Sequence, residues 1–118
     1  MQLNKIKLTT ESSERLKQLK ARTGLTPNIL CRIGFCLSLR DNLIPKPEKY
    51  PEEDREFNRY TLLGEWDDLY VALLKQWCEE NSASEHELEA YFRSHVKRGV
   101  EYIGKSAKSV SDLARLLT

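Results

Sequence analysis

Residues 3–41 read LNKIKLTTESSERLKQLKARTGLTPNILCRIGFCLSLRD, and the hydrophobic spacing changes along them. In residues 3–9, Ile6 and Leu8 alternate with Lys5, Lys7 and Thr9, which is the period of a half-buried strand with its lysines and threonine facing outward. The spacing then becomes helical. This stretch therefore predicts a strand followed by two helices.

Local capping signals place the two helices. Thr9 or Thr10 can cap the first helix, whose apolar face is narrow. Gly24 suits the left-handed conformation that ends a helix, and Thr26-Pro27 suits the cap and first position of the next one. The apolar face of the first helix is expected to contain Ser12, Leu16, Leu19 and Thr23.

The second helix, predicted over residues 27–41, is apolar on nearly all sides. A helix of this kind is buried on most sides, and one fold of this size can hardly cover it. The sequence therefore predicts a homo-oligomer. The residues expected at its interface are Ile29, Leu30, Ile33 and Leu37.

The rest of the chain is predicted to be a proline-rich connector followed by a helical layer. The connector spans residues 42–56, and a short strand over 57–63, ending at Gly64, could pair with residues 3–9. Helices are predicted over 66–80, from a capping box at Ser84–Glu87, and from Ser109 or Ser111. Residues 1–118 thus form a single, mainly α domain: a strand-helix-helix unit (1–41), the connector, and the short strand with C-terminal helices (57–118).

The net charge of +1 is the sum over three blocks of the sequence: two basic blocks on either side of an acidic one. Residues 1–50 carry ten Lys/Arg against four Asp/Glu, residues 51–90 three against twelve, and residues 91–118 six against two. The basic segments could bind a polyanion, or the acidic and basic blocks could dock on each other between subunits. One basic cluster near the C-terminus has no role that the sequence assigns: Lys97, Arg98, Lys105 and Lys108.

Catalytic and metal-binding patterns are absent from the sequence. Cys31 and Cys36 would point about 140° apart on one helix, so they cannot share a metal from it. Cys78, His86 and His95 lack zinc-site spacing. The odd cysteine count predicts free thiols in a reducing compartment. Residues 1–7 contain no apolar h-region and no apolar run reaches the length of a membrane-spanning helix, so we expect neither a secretory signal nor a membrane span. We expect a cytoplasmic protein that is not an enzyme and holds no metal or cofactor, with His95 as a core residue.

Nucleic-acid binding is the remaining interpretation. A strand with outward lysines followed by two helices is the order of a ribbon-helix-helix unit, in which two chains pair their strands in the major groove. The N-terminus of the second helix can face a phosphate, because its backbone N–H groups are free. The alternative is an ordinary β segment with solubilising lysines. Candidate DNA-binding residues are Lys5, Lys7, Lys17, Lys20, Arg22, Thr26 and Asn28.

The chain also resembles a known family, DndE, over nearly its whole length. The similarity lies in residues 5–9 (KIKLT), 14–17 (ERLK), 23–32 (TGLTPNILCR) and 57–65 (FNRYTLLGE). DndE is the small component of DNA phosphorothioation, in which sulfur replaces a non-bridging phosphate oxygen. The resemblance implies a DNA-binding accessory protein, tetrameric, with affinity for duplexes containing a strand break. It also implies partners among the other components of that system.

Three functional hypotheses follow. In the first, the protein is an accessory of phosphorothioation that binds the duplex backbone. In the second, it is a ribbon-helix-helix repressor that reads bases with Lys5, Lys7 and Thr9. In the third, it is a scaffold that does not bind DNA, and its charged blocks hold subunits or partners together. The family's sulfur chemistry could suggest relay thiols, but a reactive cysteine needs exposure, and Cys31 and Cys36 lie on the most apolar helix.

Overall fold

The computed structural model of the chain describes residues 5–47 and 56–118, apart from the side chains of Lys5, Glu56 and Glu85. Most of the predicted connector, residues 48–55, lies outside this described part. Within it, the structure is mainly helical with one small antiparallel sheet, which confirms the predicted fold class. None of the described helices is long and apolar enough to cross a membrane.

The N-terminal unit has the predicted strand-helix-helix order. Strand β1 spans Lys5–Lys7, helix α1 spans Thr10–Thr23 and helix α2 spans Pro27–Leu39. The side chain of Thr9 caps α1 by accepting a hydrogen bond from the Ser12 amide, and Gly24 ends the helix at φ 78°. Local capping chemistry thus sets these boundaries, as the sequence indicated.

Strand β2 spans Glu56–Asn58 and pairs antiparallel with β1, with Ile6 opposite Phe57. This confirms the predicted pairing, but the prediction of a strand as far as residue 63 is wrong. The Oδ1 atom of Asn58 accepts hydrogen bonds from the amides of Tyr60 and Thr61 and so starts helix α3 at Arg59–Leu63. The helix cap outweighs the β propensity of these side chains.

The C-terminal layer consists of helices α4 (Asp67–Glu80), α5 (Leu88–Ser106) and α6 (Val110–Leu116). One-turn 3₁₀ segments precede α4 at Gly64–Trp66 and α5 at Glu85–Glu87. The predicted helices of this region are confirmed, including the cap of α6 by Ser109. The predicted capping box at Ser84–Glu87 opens only the 3₁₀ turn, where the Ser84 hydroxyl accepts from the His86 amide, and α5 begins at Leu88 without a side-chain cap.

Helix α2 packs along α5 at the centre of the fold. The backbones of the two helices come close together at Gly34 of α2 and Gly99 of α5. A Cβ on Gly99 would lie only 1.8 Å from the carbonyl oxygen of Gly34. Phe35 of α2 stacks on Phe92 of α5 with ring centroids 4.9 Å apart. The expectation that one chain cannot cover α2 is therefore wrong, because the chain's own helices bury most of its apolar residues. The fully or nearly buried ones are Leu30, Cys31, Phe35 and Leu37.

Candidate nucleic-acid interface

The turn between α1 and α2 leaves backbone donors free at the start of α2. Thr26 stands at the N-cap in an extended conformation (φ −70°, ψ 156°), but its side chain makes no capping hydrogen bond. Pro27 has no N–H, so Asn28 and Ile29 carry the first amides, which have no acceptor within their own helix. Thr26 is exposed and Asn28 is half-buried. This helix end can accept an anion.

The exposed basic side chains near this turn do not form a single stripe. Lys17 and Lys20 are exposed and lie about 60° apart around α1, so they share one flank of the helix. Arg22 is exposed about 160° away from Lys20, on the opposite flank. Lys7 is exposed on β1, whereas the side chain of Lys5 lies outside the described residues. Only Lys17 and Lys20 form a compact pair.

Thr9 does not face outward with the lysines. It is buried, and its hydroxyl lies 3.0 Å from that of Ser12 while accepting from the Ser12 amide at 3.1 Å. The strand alternation ends one residue earlier than predicted because Thr9 already serves as the cap of α1. Thr9 therefore has no free surface with which to read a base.

Lys97 belongs to the interior and not to a basic surface. Its Nζ lies 2.9 Å from a carboxylate oxygen of Glu11 and 2.9 Å from one of Glu101, and its side chain is 6% exposed. Burial works to lower the pKa of Lys97, but its hydrogen bonds to Glu101 and Glu11 raise it overall. Lys97 therefore links α5 to α1 through Glu11 and does not extend a DNA-binding surface. Lys105 and Lys108 stay exposed.

Arg98 is also committed to internal contacts. Its Nε donates to Ser38 Oγ at 2.8 Å, Nη2 donates to the Ser38 carbonyl at 2.8 Å, and Nη1 donates to the Leu43 carbonyl at 2.6 Å. The guanidinium thereby holds the C-terminal end of α2 and the chain that follows it against α5. The sequence offered no signal for this role, because each partner lies more than fifty residues away.

His95 completes this network as a core residue, as predicted. Its Nδ1 lies 2.8 Å from Ser38 Oγ. The Ser38 hydroxyl accepts from Arg98 and shares a hydrogen bond with Nδ1, whose donor depends on the tautomer of His95, and the buried Nε2 has no hydrogen-bond partner among the described residues. Its ring meets that of Trp77 at 89°, with centroids 4.4 Å apart. Burial, followed by the charge of Arg98, lowers the pKa of His95 to about 3.

The lowered pKa of His95 predicts that acid destabilises the protein. Between about pH 6.5 and pH 3 the unfolded chain protonates this histidine while the folded chain does not, so the free energy of unfolding falls as pH falls. The loss approaches 1.4 kcal/mol per pH unit, roughly the value for one proton. Chemical denaturation at several pH values measures the free energy of unfolding.

We expect His95→Gln to remove the contribution of this histidine to the slope of the free energy of unfolding against pH. His86→Gln, at an exposed site, should leave that slope unchanged. Equal slopes for His95→Gln and the unmodified protein would contradict the prediction.

None of the three cysteines forms a disulfide bond. Cys31 and Cys78 are buried and Cys36 is half-buried. Burial raises the pKa of Cys36 and outweighs its hydrogen bond with Tyr70, so this thiol carries less thiolate than an exposed one. Among the residues that the structure describes, no group of three or more His, Cys, Asp or Glu side chains is placed to hold a metal.

The four side chains predicted at an oligomer interface fall into two classes. Leu30 and Leu37 contribute to the chain's own core, whereas Ile29 is 38% exposed and Ile33 is partly buried. Of the predicted set, only Ile29 and Ile33 present apolar surface outside the fold. The interface itself stays a prediction.

Comparison with known proteins identifies the family. The family model described as DNA sulphur modification protein DndE matches residues 5–111. The chain belongs to the DndE family. Among solved structures it is similar to DndE from Escherichia coli B7A, described as involved in DNA phosphorothioation modification, with 26% identity, a TM-score of 0.72, and 87% of this chain and 98% of that chain covered.

A second DndE structure carries a double glycine-to-lysine substitution and is described as involved in DNA phosphorothioation. It shares 24% identity with a TM-score of 0.71 and covers 87% of this chain and 99% of that chain, which supports the fold alone. No curated protein matches the chain. As a DndE protein, this chain is a component of the phosphorothioation system, and it is associated with the other components of that system.

Proposed function

We propose that this chain is the DNA-binding accessory protein of phosphorothioate modification and that it has no catalytic activity of its own. It binds the backbone of double-stranded DNA, including duplexes with a strand break, and does so as a homotetramer in the cytoplasm. The observation that carries this proposal is the pairing of exposed Lys17 and Lys20 on one flank of α1 with an uncapped α2 N-terminus just beyond the turn.

The charge state of these lysines supports contact with phosphate. Neither Lys17 nor Lys20 forms an ion pair in the described part of the chain, in contrast to Lys97, which binds two carboxylates. Cations without a partner can neutralise phosphates and release the counterions condensed on DNA. Lys5, Lys7 and Arg22 add further positive charge to the strand-helix-helix unit, with Arg22 on the opposite flank of α1. Thr26 and Asn28 frame the anion-accepting helix end.

Two features favour backbone contact over base reading. The partner of β1 is β2 of the same chain, so one edge of the strand is not available for the two-chain ribbon of a repressor. Thr9, one of the three predicted base-reading residues, is buried in the cap of α1. The protein therefore holds DNA by its phosphates, with little preference for sequence.

In the proposed tetramer, the subunits meet through the exposed strip of α2. Ile29 and Ile33 lie one helical turn apart and supply the apolar contact. Leu30 and Leu37 support this strip from inside the subunit. Assembly would gather several Lys17–Lys20 pairs on one particle and raise its affinity for DNA.

Replacing Lys17 and Lys20 by alanine is expected to weaken binding to all duplexes to a similar degree. The slope of log K against log salt should become shallower by roughly one unit for each phosphate contact that is lost. Fluorescence anisotropy with a labelled duplex, intact or nicked, measures the affinity at several salt concentrations. We expect the nicked duplex to bind more tightly than the intact one.

Lys75→Ala is the matched control, because Lys75 is an exposed lysine on α4, outside the proposed site. It should leave both affinity and salt slope unchanged. Binding that does not depend on salt, or that survives the Lys17→Ala and Lys20→Ala changes, would show that the basic pair does not contact DNA.

A further inference from the structure

A cavity of about 230 Å³ opens between the C-terminal end of α2, the second half of α5 and the end of α6. Leu37, Gly99 and Leu116 form the apolar part of its lining. Ligand sites combine apolar surface of this kind with a few polar groups, and those for drug-sized ligands measure roughly 300–1,000 Å³. The size of this cavity therefore suits a single planar ring system and no larger group.

One wall of the cavity is held in place by the hydrogen bonds of Arg98. This side chain donates to the Oγ and the carbonyl oxygen of Ser38 and to the carbonyl oxygen of Leu43. Its Nη1 also lies 3.8 Å from Oδ2 of Asp41, so the two charges offset each other. Because these contacts fix the end of α2 beside α5, the cavity is formed before any ligand binds.

Three other side chains, in or beside the cavity, keep groups that a ligand can use. Tyr102 lines the cavity, is 52% exposed, and has a hydroxyl without a hydrogen-bond partner among the described residues. Arg40 also lines it and is exposed; its Nη1 donates to the Leu116 carbonyl at 3.1 Å, but no described carboxylate pairs with it. Lys105 is exposed on α5, about 60° around the helix from Tyr102 and nearly one turn further along. An aromatic ring with cations beside it is the combination on which nucleobases stack and phosphates bind.

The carboxylate of Asp41 restricts which planar anions the cavity can hold. Its Oδ1 accepts from the Leu43 amide at 2.9 Å, whereas Oδ2 accepts no hydrogen bond within the part of the chain that the structure describes. A carboxylate oxygen repels a ligand that offers only acceptors and binds one that offers an N–H donor. Adenine, cytosine and guanine carry an amino group on the ring edge, and thymine does not. The carboxylate therefore favours the three bases with an amino group.

The remaining charge of the site selects a phosphate over a zwitterion. Since Arg98 and Asp41 offset each other, Arg40 and Lys105 leave a charge of about +2 around the cavity, which the phosphate of a nucleotide matches. An aromatic amino acid also combines a ring, N–H donors and an anionic group, but it is neutral overall and leaves both cations unmatched.

We propose that this cavity binds a single nucleotide whose base carries an amino group. The base stacks on Tyr102, its amino group donates to Asp41, and its phosphate binds Arg40 and Lys105. The nucleotide is either free in solution or an unpaired nucleotide of a DNA strand, because both present the same chemistry. The site lies at the end of α2 opposite the anion-accepting N-terminus, roughly 20 Å away along the helix, so the inference does not rest on the proposed contact of Lys17 and Lys20 with DNA.

Isothermal titration calorimetry of the full-length chain with dAMP, dTMP, deoxyadenosine and tryptophan tests the proposal. We expect dAMP to bind with a Kd below about 1 mM and the other three compounds at least about fivefold more weakly. Tyr102→Leu should weaken dAMP binding at least about fivefold because the base loses its stacking ring, whereas Tyr102→Phe keeps the ring and should stay within about twofold. Arg40→Gln should reduce the preference for dAMP over deoxyadenosine, and Asp41→Asn should reduce the preference for dAMP over dTMP.

A second titration distinguishes the two sources of the nucleotide. It compares a blunt duplex with one that ends in a single unpaired adenine. Tighter binding of the overhanging duplex, lost in Tyr102→Leu, assigns the site to unpaired nucleotides of DNA. Binding of dAMP without any preference for the overhang assigns it to a free nucleotide. Either result supports the site.

Tyr60→Leu is the matched control, because Tyr60 is another exposed tyrosine, on α3 and outside the cavity. It should change the dAMP affinity less than about twofold. The proposal would be overturned if neither dAMP nor the unpaired adenine binds, if tryptophan binds as tightly as dAMP, or if Tyr102→Leu behaves like Tyr60→Leu. The Lys17→Ala and Lys20→Ala changes should leave dAMP binding unchanged, and Tyr102→Leu should leave binding of the blunt duplex unchanged. This proposal and the DNA contact can therefore fail separately.

Discussion

Replacing Gly99 with alanine should destabilise the protein by about 4 kcal/mol or more, which is a large part of the stability of a typical domain. The added Cβ would lie 1.8 Å from the carbonyl oxygen of Gly34 and 2.1 Å from its carbonyl carbon. Both are backbone atoms of α2, so no rotation of a side chain can relieve the overlap. Helices α2 and α5 would have to move apart, and the core between them, including the stacked Phe35 and Phe92, would lose its contacts.

The other glycines of the two helices provide graded controls in the same denaturation experiment. A Cβ on Gly34 would lie 3.0 Å from the Val100 amide nitrogen, so Gly34→Ala should destabilise less than Gly99→Ala. A Cβ on Gly104 would meet only the Arg15 side chain, at 2.4 Å from its Cδ, and that chain can turn away into solvent. Gly104→Ala should therefore stay within about 1 kcal/mol of the unmodified protein. Similar values for all three variants would mean that the glycine contact does not determine how closely the helices pack.

Most predicted helix boundaries that a local signal marks agree with the structure, although the capping box at Ser84–Glu87 opens a 3₁₀ turn and α5 begins only at Leu88. Thr9, Gly24 and Ser109 end or begin helices through contacts within four residues, which a single sequence contains in full. The interpretation of residues 59–63 as a continuation of the strand was wrong because aromatic and β-branched side chains were given more weight than the capping side chain of Asn58. Capping and propensity point to different structures there, and the cap determines the outcome.

The predictions that rested on charge alone were less accurate, because the sequence does not show which charges meet. Lys97 and Arg98 are two of the four residues of the C-terminal basic cluster, but neither is available to a ligand. Lys97 binds Glu11 of α1, and Arg98 donates to the Ser38 carbonyl at the end of α2. Lys17 and Lys20 stay exposed, as a solvated or phosphate-binding flank requires. The close approach of Gly34 and Gly99 was also beyond the sequence, since helical periodicity defines a buried face without naming the helix that packs against it.

Arg98→Ala should have the second largest effect on stability, a loss of about 3 kcal/mol and a fall in Tm of roughly 10 °C. The change removes three hydrogen bonds from a charged donor and leaves the carbonyls of Ser38 and Leu43 without their partner. It also removes the positive charge that, after burial, lowers the pKa of His95, so this pKa, followed by NMR, should rise from about 3. Lys105→Ala is the matched control, because it removes an exposed cation from the same helix and should leave Tm within about 2 °C. If the two variants melt at the same temperature, Arg98 does not hold the end of α2.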